Sequence, residues 1–483
     1  MKNLSTLFPS KIDSRFASFE VHELIFDSRK ARGNCLFFAI VGFTSNGHQF
    51  VEQAYNQGCR FFVVQEHVSL PEDACIITVQ DTAQTLGEIA CSFFDHPSEK
   101  LRLVGITGTN GKTTTATLLH DLFTGLGYHC GLLSTVVNKI GTNPIPSTHT
   151  TPDPVALNAL LARMVEEGCE YCFMEVSSHA VHQKRIAGLN FTVAGFTNIT
   201  HDHLDYHQTF AAYIQAKKGF FDGMMKGSFA ITNADDKNGQ VMLQNTSAKK
   251  LTYALKYPAD FKGKVLENNL SGLVLQINGT EVYTRLVGAF NAYNILLVYA
   301  IAQILEQNEL EVLRVISNLG AVDGRFQHFT SLGGINVIVD YAHTPDALEN
   351  VLQTISQVCQ KGQKVLTVVG CGGDRDKTKR PEMARIAAQK SHQVVLTSDN
   401  PRTENPETIL DEMELGVSVE NKAKTLRITD RQQAIKIALT LANSGDVVLI
   451  AGKGHEKYQD INGVKHPFDD VAIAKEILEQ LKK

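Results

Sequence analysis

The sequence predicts an α/β protein of three domains. These are a small N-terminal α/β domain over 1–98, a central parallel-sheet domain with a P-loop over 99–324, and a Rossmann-like C-terminal domain over 325–483. Three observations predict it. The chain has 483 residues, and domains usually take about 100–200 residues each. From about residue 99, short apolar runs alternate with helical periodicities, the pattern of a parallel sheet with helices on both faces. Glycines and polar residues gather just after those apolar runs, where open α/β sheets bind ligands.

Composition narrows the class. A hydrophobic content of 43% suits a globular chain with real cores. The net charge of −5 argues against a nucleic-acid partner. No run reaches the roughly 18 apolar residues of a membrane helix, and the first residues lack the apolar core of a signal peptide. Nine scattered cysteines fit reduced thiols. A cytoplasmic chain with no membrane partner is expected. Cys169 and Cys172 stand as Cys-x-x-Cys, which reads as core packing, with a redox pair as the alternative.

In the N-terminal domain, Leu36–Val41 and Arg60–Val64 read as buried strands around a helical stretch near Phe50–Gln57. Asp27-Ser28-Arg29 and the segment from Gly42 to His48 are polar loops at strand ends, suited to ligand contact or to turn capping.

The central domain opens on Leu103-Val104-Gly105-Ile106, a strand leading into Thr107-Gly108-Thr109-Asn110-Gly111-Lys112-Thr113-Thr114 and then a helix. Such a junction makes an anion site from backbone N–H groups, the helix dipole and a lysine, with Thr113 placed for a phosphate-bound Mg ion. The strict motif puts a glycine where Ile106 stands; here the first glycine is Gly108. Next come a helix marked by Leu157, Leu160, Leu161, Met164 and Val165, and the strand Phe173–Val176. Glu175 is a carboxylate within that apolar strand, so it wants a metal or a cation, with Arg185 a candidate. The polar cluster Asn198–His207 spaces histidines and aspartates as His-x-His-x-Asp-x-His, one residue off a binuclear zinc pattern and compatible with a magnesium–nucleotide site. Alternating runs between 250 and 285, with a turn at Asn278-Gly279, predict β-hairpins.

In the C-terminal domain the strands are expected at Val337–Asp340, Val365–Val369, Val394–Thr397 and Val447–Ile450. Each is followed by a polar cluster: Asp340–His343, Gly370–Arg375, Asp399–Arg402 and Ala451–Glu456. Arg375 stands where a dinucleotide fingerprint needs its last glycine, so that reading fails. Asp340 and Asp399 are also suited to capping helices.

Five motifs in this order resemble the Mur ligase family of peptidoglycan synthesis. They are Thr107–Thr114, Glu175-Val176-Ser177-Ser178-His179, Asp202–His207, Asp340–Pro345 and Ala451–Glu456. The shifted Gly108 is the usual form of that family's phosphate loop. Asp399-Asn400-Pro401-Arg402 is similar to the motif of members that add meso-2,6-diaminopimelate, whose second carboxylate an arginine can grip in two places.

The resemblance implies a cytoplasmic, ATP-dependent amide ligase. Its substrates would be UDP-MurNAc-L-Ala-D-Glu and meso-diaminopimelate, joined through an acyl phosphate on the D-glutamate γ-carboxylate. The N-terminal domain would bind the UDP moiety, the central one ATP and the C-terminal one the amino acid, in a monomer whose domains close on the substrates. Same-fold alternatives add L-lysine, or glutamate to folate; a nucleotide switch and a zinc hydrolase are rivals of other classes. By the same resemblance, Gly108 through Thr114, Asn291, Asn294, Arg325, Asp340 and His343 serve ATP. Thr113, Glu175, His203 and a carbamylated Lys217 hold Mg, and Lys112, Lys217, His203 and Arg325 carry the catalysis. Ser28 and Phe43-Thr44-Ser45 meet the uridine nucleotide. His149, Thr150, Thr151, Ser177, Gln183 and Arg185 hold the muramoyl dipeptide. Arg375, Asp399, Asn400, Pro401, Arg402, Gly452 and Glu456 form the amino-acid pocket.

Overall fold

The computed structural model describes every residue except Ser10, Lys11, Asp13, Phe43, Thr44, Thr148, His201 and His203, and only the backbone of Leu204 and Asp205. The expected uridine contacts at Phe43 and Thr44, and the expected metal ligand His203, lie outside the described residues. By compactness the chain forms two units: one holds 1–253, 257–260 and 300–307, the other 254–256, 261–299 and 308–483. No helix among the described residues is long and apolar enough to cross a membrane.

The first unit holds a four-stranded parallel sheet and a larger sheet that is parallel at its centre, with Asn138–Ile140 and Asn143–Ile145 added antiparallel at one side. The smaller runs Glu23–Ile25, Cys35–Phe38, Phe61–Val64 and Cys75–Thr78, each strand beside the next in sequence. Its strand side chains feed two separate cores. Leu36 and Phe38 face one and Cys35 and Phe37 the other, so the Cys35–Phe38 strand is apolar throughout because both faces are covered.

In the larger sheet of this unit, Arg102–Thr107 lies between Tyr171–Glu175 and Val193–Phe196, parallel to both. Register aligns their ends: Glu175 lies beside Ile106 and Phe196 beside Thr107. The segments after the three strands, 108–111, 176–178 and 197–200, therefore emerge together at one edge. Helix Lys112–Gly125 leaves that edge, and helix Phe210–Asp222 packs its Phe220 and Phe221 into the same core as Phe191 and Phe196. A fully buried aromatic or aliphatic side chain of this kind contributes about 1.5–3 kcal/mol. Cys169 and Cys172 are buried in that core as free thiols, and burial raises the pKa of both.

The second unit holds the antiparallel strands Phe261–Asn269, Gly272–Ile277 and Thr280–Thr284, turned at Asn278-Gly279. It also holds a doubly wound sheet in the order Gln327–Thr330, Asn336–Asp340, Val447–Ala451, Val365–Cys371, Gln393–Ser398, Thr425–Arg427. Only the first of these strands is antiparallel to its neighbour. Alternation along the strands splits the core. Val365, Val369 and Cys371 face one helical layer, and Leu366 and Val368 face the other. The last strand in sequence is inserted between the second and third, so Asp340 and Ala451 end side by side, with Val369 on the other side of Ala451 and Cys371 two residues further on, at a switch in strand order.

Candidate active site

In the first unit the phosphate loop is built by close backbone approach. Gly108 has φ +149°, and a Cβ there would lie 1.9 Å from Thr197 Oγ1. Position 106 needs no glycine, because Ile106 is still buried inside the strand. The displaced glycine thus marks where the strand ends. Gly111, at φ +87°, turns the chain into helix Lys112–Gly125. The segment after Val193–Phe196 holds the loop in shape. Thr109 N donates to Asn198 O (2.8 Å) and Asn110 N to Asn198 Oδ1 (3.0 Å). Thr197 Oγ1 and Asn198 Nδ2 donate to Asn110 O (2.6 and 3.1 Å). Thr200 N donates to Thr109 Oγ1 (3.0 Å), which also meets the Tyr213 hydroxyl (3.1 Å).

Two lysines converge on the loop. Lys112 Nζ donates to the carbonyls of Gly108 (2.9 Å) and Thr109 (2.8 Å). Lys217, 1% exposed, donates to the same Gly108 carbonyl (2.7 Å) and lies 4.7 Å over the Tyr213 ring. Burial first, and then the charge of Lys112, hold the Lys217 pKa well below the usual lysine range. Its neighbour Lys218 instead pairs with Asp222 (2.6 Å), the contact of an ordinary helix salt bridge.

Glu175 is 1% exposed. Its Oε1 accepts from Thr135 N (2.7 Å), and its Oε2 has no hydrogen-bond partner among the described residues. Arg185, the alternative partner, is committed elsewhere: it donates to Thr151 O (2.7 Å) and to Gln183 Oε1 (2.7 and 3.0 Å). A buried carboxylate oxygen without a donor is costly, and a hard cation is the group it lacks. Thr113, at the start of the helix, and Lys217 after carbamylation would add further oxygen donors, the set that Mg prefers. The residues present therefore fit a Mg ion.

The dipeptide candidates are stitched to this strand end. Thr151 Oγ1 donates to Glu175 O (2.8 Å) and accepts from Ser177 N (3.2 Å). Thr150 Oγ1 accepts from Thr135 Oγ1 (3.0 Å), and the His149 carbonyl accepts from Ser147 Oγ (3.1 Å). Ser177 Oγ caps the short helix Ser178–His182, and Gln183 Nε2 donates to the Tyr206 hydroxyl (3.1 Å). Ser28 sits in the smaller sheet's loop, with its hydroxyl donating to Gln53 Oε1 (2.9 Å).

In the second unit, Asp340 Oδ2 accepts from Phe326 N (2.6 Å) and Oδ1 from Ala342 N (2.8 Å). Burial raises its pKa, opposed by Arg325. The Arg325 guanidinium lies 4.8 Å over the Tyr341 ring, which also packs against His343 and His455. Asn291 and Asn294 are buried early in helix Ala289–Ile304, with Asn291 Nδ2 donating to Val287 O (2.8 Å) and Asn294 Nδ2 to Asn291 Oδ1 (3.0 Å).

Beyond the ends of Gln393–Ser398 and Val447–Ala451, a second charged cluster forms. Lys453 is fully buried, with Nζ 2.9 Å from Asn400 Oδ1, 3.3 Å from Glu456 Oε2 and 3.5 Å from Asp399 Oδ1. Asn400 Nδ2 donates to Glu456 Oε2 (2.8 Å). Burial and Asp399 push the Glu456 carboxyl upward in spite of Lys453, as for an anion still short of a cation. Arg402, at φ +50°, donates to the Gly373 carbonyl, and Arg375 is exposed on the adjoining segment.

Three family models match the chain in succession: Mur ligase family, catalytic domain, over 20–94; Mur ligase middle domain over 106–302; and Mur ligase, glutamate ligase domain, over 324–454. A protein of Cytophaga hutchinsonii named UDP-N-acetylmuramoyl-L-alanyl-D-glutamate--2,6-diaminopimelate ligase is 55% identical over 469 residues, 96% of each chain. The chain belongs to the Mur ligase family. A Bacteroides fragilis protein of the same name is 50% identical, covering 98% of each chain. A solved structure of a ligase of that name aligns over 100% of this chain and 99% of its own, with TM-score 0.73 and 31% identity.

In this Mur ligase the expected residues fall into groups. Gly108 through Thr113, Glu175 and Lys217 converge on one strand-end edge of the first unit, with the dipeptide candidates tied to the same edge. Arg325, Asp340 and His343 gather in the second unit, as do Asp399, Asn400, Glu456 and Arg402. Sequence reasoning missed Asn198 and Tyr213 as supports of the loop, and Lys453 as the centre of the charged cluster. Glycines on both sides of Lys453, straight after a strand, were the signal for it. For Asn198 the signal was its place at the head of the polar cluster that follows a strand; for Tyr213 no local signal exists.

Proposed function

We propose that this Mur ligase joins the D-glutamate γ-carboxylate of UDP-MurNAc-L-Ala-D-Glu to an amine of meso-2,6-diaminopimelate, with ATP converted to ADP and phosphate. The observation that carries the reading is the near-full-length identity to proteins named for that reaction. The chain divides accordingly: 1–98 for the UDP moiety, 99–324 for ATP and 325–483 for the amino acid, in a cytoplasmic monomer.

The chemistry suits the residues. A carboxylate is a poor electrophile until phosphorylated, and two anions must meet for that transfer. The loop N–H groups and Lys112 receive the nucleotide phosphates. Thr113, Glu175 and Lys217 would hold Mg, with His203, outside the described residues, as a further ligand. A Mg ion bound there supplies charge that offsets the repulsion between nucleotide and carboxylate. Carbamylation of Lys217 forms an N–C bond between a neutral amine and CO2 and releases one proton. The lowered pKa of Lys217 supports it, since the amine must be neutral to attack. Arg325, Asp340, His343 and Asn291 serve the rest of the nucleotide. His149, Thr150, Thr151, Ser177, Gln183 and Arg185 hold the dipeptide, and Ser28 the uridine nucleotide. In the amino-acid pocket, two carboxylates, Asp399 and Glu456, face one buried ammonium, Lys453, which leaves one negative charge for a substrate ammonium. Arg402 and Arg375 supply guanidinium groups for carboxylates.

The test is phosphate release with UDP-MurNAc-L-Ala-D-Glu, ATP and Mg, omitting each component in turn. Release is expected only with all of them plus diaminopimelate. Release without the UDP substrate contradicts the ligase reading, and release indifferent to the amino acid contradicts the acceptor.

A further inference from the structure

The amino-acid pocket rests on a side chain that touches none of the residues assigned to ammonium binding. Arg380, on helix Lys379–Lys390, has a fully buried guanidinium. Nη1 donates to Glu404 Oε2 (3.0 Å) and Glu412 Oε2 (2.7 Å); Nη2 donates to Glu404 Oε1 (2.8 Å) and the Gly372 carbonyl (3.3 Å). Glu404 Oε1 also accepts from Asp374 N (2.5 Å). The Asp374 carboxylate in turn takes the Thr403 hydroxyl (2.8 Å) and N–H (3.2 Å).

Three consecutive residues are thereby fixed: the Gly372 carbonyl by Arg380, the Gly373 carbonyl by Arg402 and the Asp374 N–H by Glu404. There is no slack between the two segments, because a Cβ on Gly373 would lie 1.9 Å from Pro401 O. One segment runs on into Arg375 and the other contains Arg402. Stability alone gives a weak reason for such a group. A buried ion pair often does no better than apolar residues of its size, and here Nε has no partner among the described residues.

We propose that Arg380 is a positioning residue that sets selectivity for the acceptor's second carboxylate, by clamping the two segments that carry Arg375 and Arg402. The inference rests on the reading of function above and deepens it. Two guanidiniums grip a carboxylate well only at a fixed separation, and their backbones are held by this clamp. A shift of about 1 Å in such a group can cost about 100-fold in rate.

The experiment uses the full chain and its Arg380→Met, Arg380→Lys and Glu404→Gln variants. It measures kcat and KM for each substrate, with diaminopimelate and L-lysine as acceptors. For Arg380→Met, KM for diaminopimelate is expected to rise about tenfold or more while KM for ATP and the UDP substrate holds. The preference for diaminopimelate over lysine should fall with it. Arg380→Lys keeps the charge without the forked grip and should lie between. If Arg380→Met does not fold, Glu404→Gln is judged by the same criteria. Loss of activity by one factor for both acceptors, the result of mere unfolding, overturns the proposal, as does an unchanged KM for diaminopimelate. A wild type that releases no phosphate with diaminopimelate defeats the functional reading and the clamp together. An active wild type whose variants keep its selectivity defeats the clamp alone.

Discussion

Gly108→Ala tests whether the loop's geometry is what binds nucleotide. At φ +149° a non-glycine residue costs about 1–3 kcal/mol in backbone strain alone. The added Cβ would also sit 1.9 Å from Thr197 Oγ1 and 2.9 Å from Asn198 O, so something must move. If Thr197 yields, its 2.6 Å bond to Asn110 O is lost, about 1 kcal/mol more. Together these give roughly 2–4 kcal/mol, which at about 1.4 kcal/mol per decade is a roughly 30- to 1,000-fold rise in KM for ATP if the bound loop bears the cost. Phosphate release titrated with ATP, beside a thermal melt, reads both places the cost can appear. Gly127→Ala is the control: its φ is +96° but a Cβ there meets nothing within 4 Å, so it should lower the melting temperature and leave KM for ATP alone. A Gly108→Ala protein with wild-type KM and wild-type melting temperature would refute the reasoning.

Lys217→Ala should abolish phosphate release, and added short-chain carboxylates should restore part of it by supplying the missing oxygen ligand; full activity in the variant contradicts the carbamate role. His455 gives a pH signature. Burial, then Arg325 and Lys457, push its imidazole down from 6.5 to about 4, so between those values the unfolded chain binds more protons than the folded one. Stability should therefore fall as pH drops from 6.5 toward 4, by up to about 3 kcal/mol from this group. Melting curves of His455→Gln should show a shallower fall over that window, and an unchanged slope counts against it. Arg431→Met should lower stability by about 3–5 kcal/mol, since it strands Asp470 in a fully buried pair. In denaturant titrations the double variant with Asp470→Leu should regain most of that loss, and no regain would contradict the pairing.

Features that depend on near neighbours along the chain are legible in the sequence. A strand, a glycine turn and a helix N-terminus follow one another at 102–125, so the phosphate site reads directly. The Asn278-Gly279 turn and the strand ends in the C-terminal sheet are legible for the same reason. Features that depend on strand register are not. Asn198 supports the loop from 88 residues away, and it does so because Val193–Phe196 runs beside the phosphate-loop strand. Arg185 suits Glu175 as a partner on charge alone. The chain instead turns it toward Thr151 and Gln183 and leaves Glu175 Oε2 without a donor among the described residues. Arg380 stands in the charged first turn of a helix, where nothing in the local pattern marks it for burial, and only the fold buries it. Lys217 lies between the two cases: its pattern is that of an exposed helix lysine, and the family resemblance alone singles it out.

The most direct test of the central claim is a competition. The enzyme is given UDP-MurNAc-L-Ala-D-Glu, ATP and Mg with equal diaminopimelate and L-lysine, and the UDP product is weighed by mass spectrometry. The expected product is heavier by one diaminopimelate less water, with phosphate formed in equal amount. A product carrying lysine, or an unchanged UDP substrate alongside released phosphate, would contradict the claim.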